Sequence, residues 1–252
     1  MSREGKTPMT AADIAAALRA AISSGSYAPG DQLPGENALM SEHGVARMTA
    51  RSALAMLRDE GLTTTRRGVG VFVREFQPII RNSISRVSQR NWNAGRAIWE
   101  ADAEGRSLTV DNINVEPEAD APDDVRAVLR LSTDNKVTIR ARRYCLDGKP
   151  AMIATSYLPA PLVAGTRITE PDTGPGGIYA RLADLGHAPA HFREDVIARM
   201  PTADETEALH IAPGTPVMVI TRTAADANGT PVEINAMTLD AANFVVRYDF
   251  DA

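Results

Sequence analysis

Cysteine is nearly absent from this chain. Cys145 is the one cysteine among 252 residues, so an internal disulfide is excluded. Long apolar runs are absent as well, because no stretch approaches the roughly 18 residues that would cross a membrane. The opening MSREGKTPMT has no apolar segment after its charges. We therefore expect a cytoplasmic protein with no membrane partner, in which Cys145 is a half-buried strand residue without a redox role.

Motifs of catalysis and metal binding are also missing. The chain has four histidines and contains no HExxH, GxSxG or CxxC sequence. His187 and His191 have the spacing of two ligands on one helix, but Pro189 lies between them and argues against that helix. We therefore predict no catalytic residues, no metal site and no cofactor. An enzyme remains an alternative, which turnover of a bound ligand would establish.

Positive charge is scarce in the whole chain but not in its first part. The net charge is −5, with 27 Lys and Arg against 32 Asp and Glu. Between residues 46 and 74, however, the sequence has six arginines and only two acidic residues, Asp59 and Glu60. Such a stretch is the expected electrostatic footprint of a protein that binds phosphates, while an acidic remainder limits indiscriminate binding.

The pattern of residues 34–73 predicts a winged helix-turn-helix. A short helix over 36–43 is stopped by Gly44, and a second helix starts near Ala46. The sequence TTTRRGVGVFV then has the β-branched residues and glycines of a two-stranded wing. An earlier helix begins at Thr10, with Asp13 completing a capping box. This arrangement favours sequence-specific binding to DNA, since a helix fits the major groove.

Arginines dominate one face of the helix that starts near Ala46. Helical spacing puts Arg47, Arg51 and Arg58 on a face beside an apolar stripe. Arg47 and Arg51 lie in the first turns, where a recognition helix meets base edges, and Arg is the commonest bidentate partner of guanine. Arg58 is about 10 Å further along the axis and fits a phosphate or solvent better. A merely solvated arginine face is the alternative, and the adjoining wing argues against it.

The segments YAPGDQLPGE, GVARMTARSAL, LRDEGL and RRGVGVFV resemble the DNA-binding domain of the GntR family of bacterial transcription regulators. The resemblance spans about residues 8–74. It implies contacts to DNA from Arg47, Thr49 and Arg51 of the recognition helix and from Arg67 and Gly68 of the wing.

Two residues depart from the GntR pattern. Asn37 stands where the family commonly has an arginine, and Ala46 replaces a usual Ser or Thr at the helix cap. The first departure removes a contact to phosphate or base, and the second forgoes a cap worth about 1 kcal/mol. Both bear on operator affinity and sequence preference.

The remaining chain predicts an α+β domain. We expect the DNA-binding domain over 1–76, a linker over 77–90 and a second domain over 91–252. Turn signals at LDGKP and DANGTP join successive strands, which favours an antiparallel sheet with helices packed against it. The predicted strands are 108–115, 137–146, 151–158, 191–200, 217–225, 232–239 and 244–248, and the predicted helices are 96–104, 123–131, 178–185 and 203–210.

The phrases RRYCLDGKPAMIATSYLP, GGIYARLADLGHAP and ADETEALHIAPGTPVMVITRTAADANGTPVEI resemble the UTRA effector-binding domain of the HutC branch of this family. The resemblance covers roughly residues 90–250. It implies a fold related to chorismate lyase, a small-molecule effector and a homodimer assembled through this domain. Arg143, Tyr179 and Glu233 occupy positions that match effector-binding residues of sugar-phosphate-sensing members.

Other positions of that pocket differ. Gly177 stands where a serine is expected, Leu239 where a tyrosine is expected, and Cys145 replaces a second arginine. Bidentate arginine is the usual anion clamp, so we do not predict an amino-sugar phosphate as effector. Each matched residue also has a purely structural interpretation: Glu233 as an exposed strand residue, Tyr179 as a packing residue and Arg143 as a partner of nearby carboxylates.

These features together predict a transcription regulator, by resemblance a repressor. A dimer would place two recognition helices in successive major grooves of a palindromic double-stranded DNA operator, and a small-molecule effector of unknown identity would release it. The alternative is a constitutive DNA-binding protein whose C-terminal domain only dimerises. The missing pocket residues favour that alternative.

Overall fold

The structure, a computed structural model, describes residues 9–75, 78–87 and 107–250. The chain forms two compact units, and the main boundary between them lies after residue 77. Within the described residues, no helix is both long enough and apolar enough to span a membrane.

The first unit begins with a helix fixed by its own cap. Helix α1 (Ala11–Ser23) starts after Thr10, whose hydroxyl accepts a hydrogen bond from the backbone N–H of Asp13 at 3.2 Å. The Asp13 carboxylate accepts one in return from the Thr10 backbone N–H at 2.9 Å. The predicted capping box is therefore confirmed. The helix buries Ile14, Ala15 and Leu18 against the rest of the unit.

The helix-turn-helix follows the sequence pattern closely. Helix α2 (Glu36–His43) ends at Gly44, where φ is 65°, a left-handed conformation that glycine adopts without strain. Helix α3 (Arg47–Asp59) starts after Ala46, which makes no side-chain cap hydrogen bond. The apolar stripe of α3 lies in the core and consists of Ala50, Ala53, Leu54 and Leu57.

A short hairpin completes this unit as the predicted wing. Strands β1 (Thr63–Arg66) and β2 (Gly70–Val73) pair antiparallel, with Arg66 opposite Gly70. The tip passes through Gly68, whose φ of 75° again requires the left-handed region. Gln32 supports the tip, since its side-chain amide donates a hydrogen bond to the Val69 carbonyl at 3.0 Å.

The second unit is built on a six-stranded sheet in which all neighbours are antiparallel. Its strands are β4 (Leu108–Ala119), β5 (Val137–Leu146), β6 (Lys149–Pro159), β7 (Pro189–Arg199), β8 (Val217–Asp226) and β9 (Pro231–Asp240). Their order in the sheet is β4-β5-β6-β9-β8-β7. The predicted turns LDGKP and DANGTP join β5 to β6 and β8 to β9. This architecture confirms the predicted α+β class with an antiparallel sheet.

Four helices of the described residues accompany this sheet: α4 (Asp123–Val128), α5 (Ala160–Val163), α6 (Gly177–Asp184) and α7 (Ala203–Leu209). Helix α6 packs through Tyr179 and Leu182 into a core that also contains Leu158 of β6 and Ala224 of β8. This packing fixes the position of Tyr179. The helix predicted over 96–104 lies outside the described residues.

Within the predicted linker over 77–90, the described residues 78–87 are not an irregular connection. Strand β3 (Ile79–Asn82) pairs in parallel with strand β10 (Phe244–Arg247), and a 3₁₀ turn (Ser85–Val87) follows it. Its pairing partner, β10, is more than 160 residues away in sequence, so no local sequence pattern predicts β3. These residues therefore belong to the second unit rather than to an irregular connection.

Candidate DNA-binding surface and effector cavity

The arginines of α3 that we predict to read DNA point into solvent. The side chains of Arg47 and Arg51 are 60% and 59% exposed, and Thr49 is half-buried beside them. Arg58 is half-buried and pairs with the adjacent Asp59 at 2.9 Å. The start of α3 thus exposes both arginine side chains to solvent.

Residues of α2 hold these two arginines in place. Arg51 Nε donates to Glu36 Oε1 at 2.8 Å, and Arg47 Nε lies 3.3 Å from Glu36 Oε2. Arg47 Nη2 donates to the Asn37 side-chain carbonyl at 3.1 Å. The hydrogen bond from Arg51 lowers the pKa of Glu36, so the carboxylate stays ionised. Asn37, which departs from the family pattern, therefore orients Arg47 in this chain.

The wing places its two predicted contact residues at its tip. Arg67 and Gly68 are exposed, whereas Arg66 lies over the Phe72 ring with 4.3 Å between its guanidinium carbon and the ring centre. The left-handed Gly68 leaves the backbone without a Cβ where a phosphate could approach. Recognition helix and wing are both parts of the same unit.

A cavity of about 70 Å³ opens in the second unit, where strands β5, β6, β8 and β9 meet the start of α6. Its volume is sufficient for about five water molecules. Its lining combines arginines with hydrogen-bond acceptors and two tyrosines. The polar lining residues are Arg86, Arg140, Arg142, Arg222, Tyr144, Ser156, Tyr179, Glu233 and Asn235.

Two of the three predicted effector residues lie at this cavity. Tyr179 and Glu233 both line it and are 2% and 1% exposed. Burial and the nearby Glu233 carboxylate raise the pKa of Tyr179, so the phenol remains neutral. Among the described residues, no donor is within hydrogen-bond reach of the buried acceptors Glu233 Oε2 and Asn235 Oδ1. A ligand that carries hydrogen-bond donors would satisfy them.

Arg143, the third predicted residue, lies elsewhere. Its guanidinium makes two hydrogen bonds of 2.8 Å to Asp111, which is directly opposite on β4. Successive residues of a strand point to opposite faces, so Arg143 faces away from the cavity while Arg140 and Arg142 line it. Arg142, one residue away, lines the cavity instead. A displacement of one residue suffices to change the face.

Arg140 is a buried cation at the cavity wall. It is 1% exposed, and its guanidinium donates hydrogen bonds to the backbone carbonyls of Ile168, Glu170 and Pro171. Burial, together with repulsion from Arg142, lowers its pKa to about 10, so it remains protonated at neutral pH. Carbonyl dipoles do not cancel its full charge. The cavity therefore has a positive wall.

The three residues that differ from the family's pocket pattern do not lie together. Gly177 does line the cavity, at the start of α6, and its φ of 66° together with that of Gly176 (78°) shows why glycine is suited there. Leu239 is fully buried in the apolar core, and Cys145 is buried on the Arg143 face, where its thiol contacts Asp111 at 3.7 Å. Among the described residues, no cluster of His, Cys, Asp and Glu could hold a metal ion.

Comparison with known proteins identifies both units. Residues 10–73 match the gntR family of bacterial regulatory proteins, and residues 103–244 match the UTRA domain. An HTH-type transcriptional regulator of Streptomyces coelicolor is 34% identical over 236 residues, which cover 91% of this chain and 88% of the relative. The HTH-type transcriptional repressor NagR of Bacillus subtilis is 24% identical, over 86% of this chain and 84% of its own.

A solved structure agrees with these sequence matches. The crystal structure of a GntR-family transcriptional regulator is 26% identical, covers 96% of this chain and 97% of its own, and superposes with a TM-score of 0.66. This chain therefore belongs to the GntR family of transcriptional regulators and carries the UTRA domain of the HutC-like members. Regulators of this family bind DNA, and UTRA domains bind small-molecule effectors.

Proposed function

We propose that this protein is a repressor that binds a palindromic operator as a homodimer and leaves it when a small anionic effector binds the UTRA domain. On the DNA side, the supporting observation is the exposed pair Arg47 and Arg51 at the start of α3, oriented by Glu36. Thr49, Arg67 and Gly68 complete the proposed interface. The name of the Bacillus subtilis relative, a transcriptional repressor, favours repression over activation.

The observation that carries the effector proposal is the excess of arginine around the cavity. Of the residues that the structure describes, four arginines line it, against one carboxylate, that of Glu233. Anions pair well with guanidinium groups, which offer planar, bidentate donors. The free acceptors Glu233 Oε2 and Asn235 Oδ1 add a second requirement, since the ligand must also carry hydroxyl or amine donors. We propose Arg140, Arg142, Tyr179 and Glu233 as the effector-binding residues.

The direct test is a gel-shift titration of the purified protein on the DNA upstream of its own coding sequence, against a shuffled fragment and at two salt concentrations. We expect preference for the upstream fragment that persists at the higher salt, because base contacts are less sensitive to salt than phosphate contacts. Equal, salt-sensitive binding to both fragments would contradict the choice of operator. Release of the operator by an anion would exclude the alternative of a constitutive DNA-binding protein.

The variant Arg51→Ala tests base recognition. If Arg51 reads a guanine, the variant should lose about 1 to 3 kcal/mol of binding to the operator and little binding to shuffled DNA. Arg58→Ala is the matched control, because Arg58 lies on the same helix and pairs with Asp59. Unaltered discrimination in Arg51→Ala, or an equal loss in the control, would show that the assignment is wrong.

A further inference from the structure

A buried network of charges extends from the wall of the cavity to strand β3. At its centre is Glu194 of β7, whose Oε1 accepts hydrogen bonds from Arg222 Nε at 2.9 Å and Arg222 Nη2 at 2.7 Å. Arg81 of β3 donates to the same carboxylate, from Nη2 to Oε1 at 2.7 Å and from Nη1 to Oε2 at 3.2 Å. The side chains of Arg81, Arg222 and Glu194 are 0%, 2% and 8% exposed.

The two arginines belong to functionally different parts of the unit. Arg222 lines the cavity and lies opposite Asn235 on β9 and Glu194 on β7. Arg81 is in the middle of β3, the first strand after the DNA-binding unit, and its Nη1 also donates to Ser83 at 2.8 Å. A single carboxylate therefore connects a wall of the cavity to the segment through which the chain leaves the DNA-binding unit.

The charges in this network do not balance. Glu194 supplies one negative charge for two buried guanidinium groups, which leaves one positive charge uncompensated. Burial opposes ionisation of Glu194, but the hydrogen bonds from Arg81 and the charge of Arg222 outweigh it and lower its pKa to about 2. The carboxylate is thus ionised at neutral pH, and an anion in the cavity would supply the missing charge.

We infer that Glu194 is a positioning residue that couples the cavity to β3, because it holds Arg222 at the cavity wall and Arg81 on β3 through the same carboxylate. This inference rests on the proposed function. An anion that takes hydrogen bonds from Arg222 leaves Glu194 to Arg81, and β3 is then held more firmly. Without an anion, Arg222 and Arg81 share Glu194 Oε1, and β3 is held less firmly.

The first measurement uses the unaltered, full-length protein with inorganic phosphate as the probe, at constant ionic strength. Titration calorimetry gives the affinity for phosphate, and hydrogen–deuterium exchange follows the amides of residues 79–83. Two of these amides are hydrogen-bonded to the other end of the chain, Ile79 to Asn243 and Ser83 to Arg247. We expect phosphate to slow exchange over 79–83. Phosphate that binds without any change there would overturn the inference.

Two variants then separate coupling from simple loss of stability. Glu194→Gln leaves both guanidinium groups uncompensated, so exchange over 79–83 should rise while phosphate binds about tenfold more tightly. Arg81→Gln also removes the bond that holds β3. Glu194 then compensates the charge of Arg222 alone, so phosphate should bind more weakly. A purely structural role would move the affinity for phosphate in the same direction in both variants, and that result would contradict the inference.

A matched control is Glu205→Gln. Glu205 is likewise a carboxylate of low exposure, held by Arg199 at 2.6 and 2.7 Å, but it does not line the cavity. This variant should change neither exchange over 79–83 nor the affinity for phosphate, and a change equal to that of Glu194→Gln would refute the coupling. If phosphate binds neither the unaltered protein nor the variants Glu194→Gln and Arg81→Gln, the proposal of an anionic effector is contradicted. If exchange over 79–83 is unchanged in Glu194→Gln, the role of Glu194 is contradicted.

Discussion

At the scale of single residues, carboxylates that are held by arginine make stability depend on pH. The hydrogen bonds from Arg199 lower the pKa of Glu205 to about 2 against an ordinary value of 4.5, with burial opposing and Thr202 and Thr238 assisting. A carboxyl group whose pKa is lower in the folded state stabilises that state above its unfolded pKa. Its contribution is therefore lost as pH falls from about 5 towards about 2.

The variant Glu205→Gln tests this dependence. At pH 7 the variant should have a lower free energy of unfolding than the unaltered protein, and the difference should shrink as pH falls below 5, because the unaltered carboxyl is then protonated as well. Urea denaturation at pH 7, 5, 4 and 3 measures the difference. The control is Glu207→Gln, an exposed position on the same helix, α7. A difference that stays constant down to pH 3 would exclude a lowered pKa for Glu205.

At the scale of elements, the start of α3 offers the clearest prediction. Ala46 has the extended backbone of a helix cap (φ −68°, ψ 153°) but provides no side-chain acceptor. Ala46→Ser should therefore raise the free energy of unfolding of the DNA-binding unit by about 1 kcal/mol. Thermal and urea unfolding measure the gain. Thr10→Ala, which removes the cap of α1, should lower the free energy of unfolding by a similar amount. If Ala46→Ser brings no gain, water already satisfies the first backbone N–H groups of α3.

Sequence patterns predict some of these helices, strands and cavity residues and miss others. The elements of the DNA-binding unit and most strands of the sheet were predictable because caps, alternation and turn residues are local signals. Strand β3 was not, since its partner β10 is distant in sequence. The cavity was predicted in part. Tyr179 and Glu233 lie there, but Arg143 lies on the other face, and the alternating residues Arg140 and Arg142 were the available signal.

At the scale of the whole molecule, the cavity arginines explain why composition alone could not indicate the effector. Arg86, Arg140, Arg142 and Arg222 come from three separate segments of the chain: the 3₁₀ turn, β5 and β8. Arg140 and Arg142 lie in a locally basic run, RARR over 140–143, but Arg86 and Arg222 are far from it in sequence and the protein carries a net charge of −5. Only folding brings these positive charges together. A cavity of this kind can attract anions in an otherwise acidic protein because buried charges are less screened than exposed ones.

The proposed release of DNA by an effector has a thermodynamic consequence for the whole molecule. If an anion lowers operator affinity by some factor, operator DNA must lower the affinity for that anion by the same factor, typically 5- to 150-fold. Inorganic phosphate serves as the probe, with its Kd measured by calorimetry with and without saturating operator, and operator affinity measured with and without saturating phosphate. Shuffled DNA is the control and should leave the Kd for phosphate unchanged. If neither ligand changes the affinity for the other, the UTRA domain does not control DNA binding through this cavity, as the constitutive alternative requires. If both affinities fall by the same factor, well above one, the anion and the operator favour opposite states of a single conformational equilibrium.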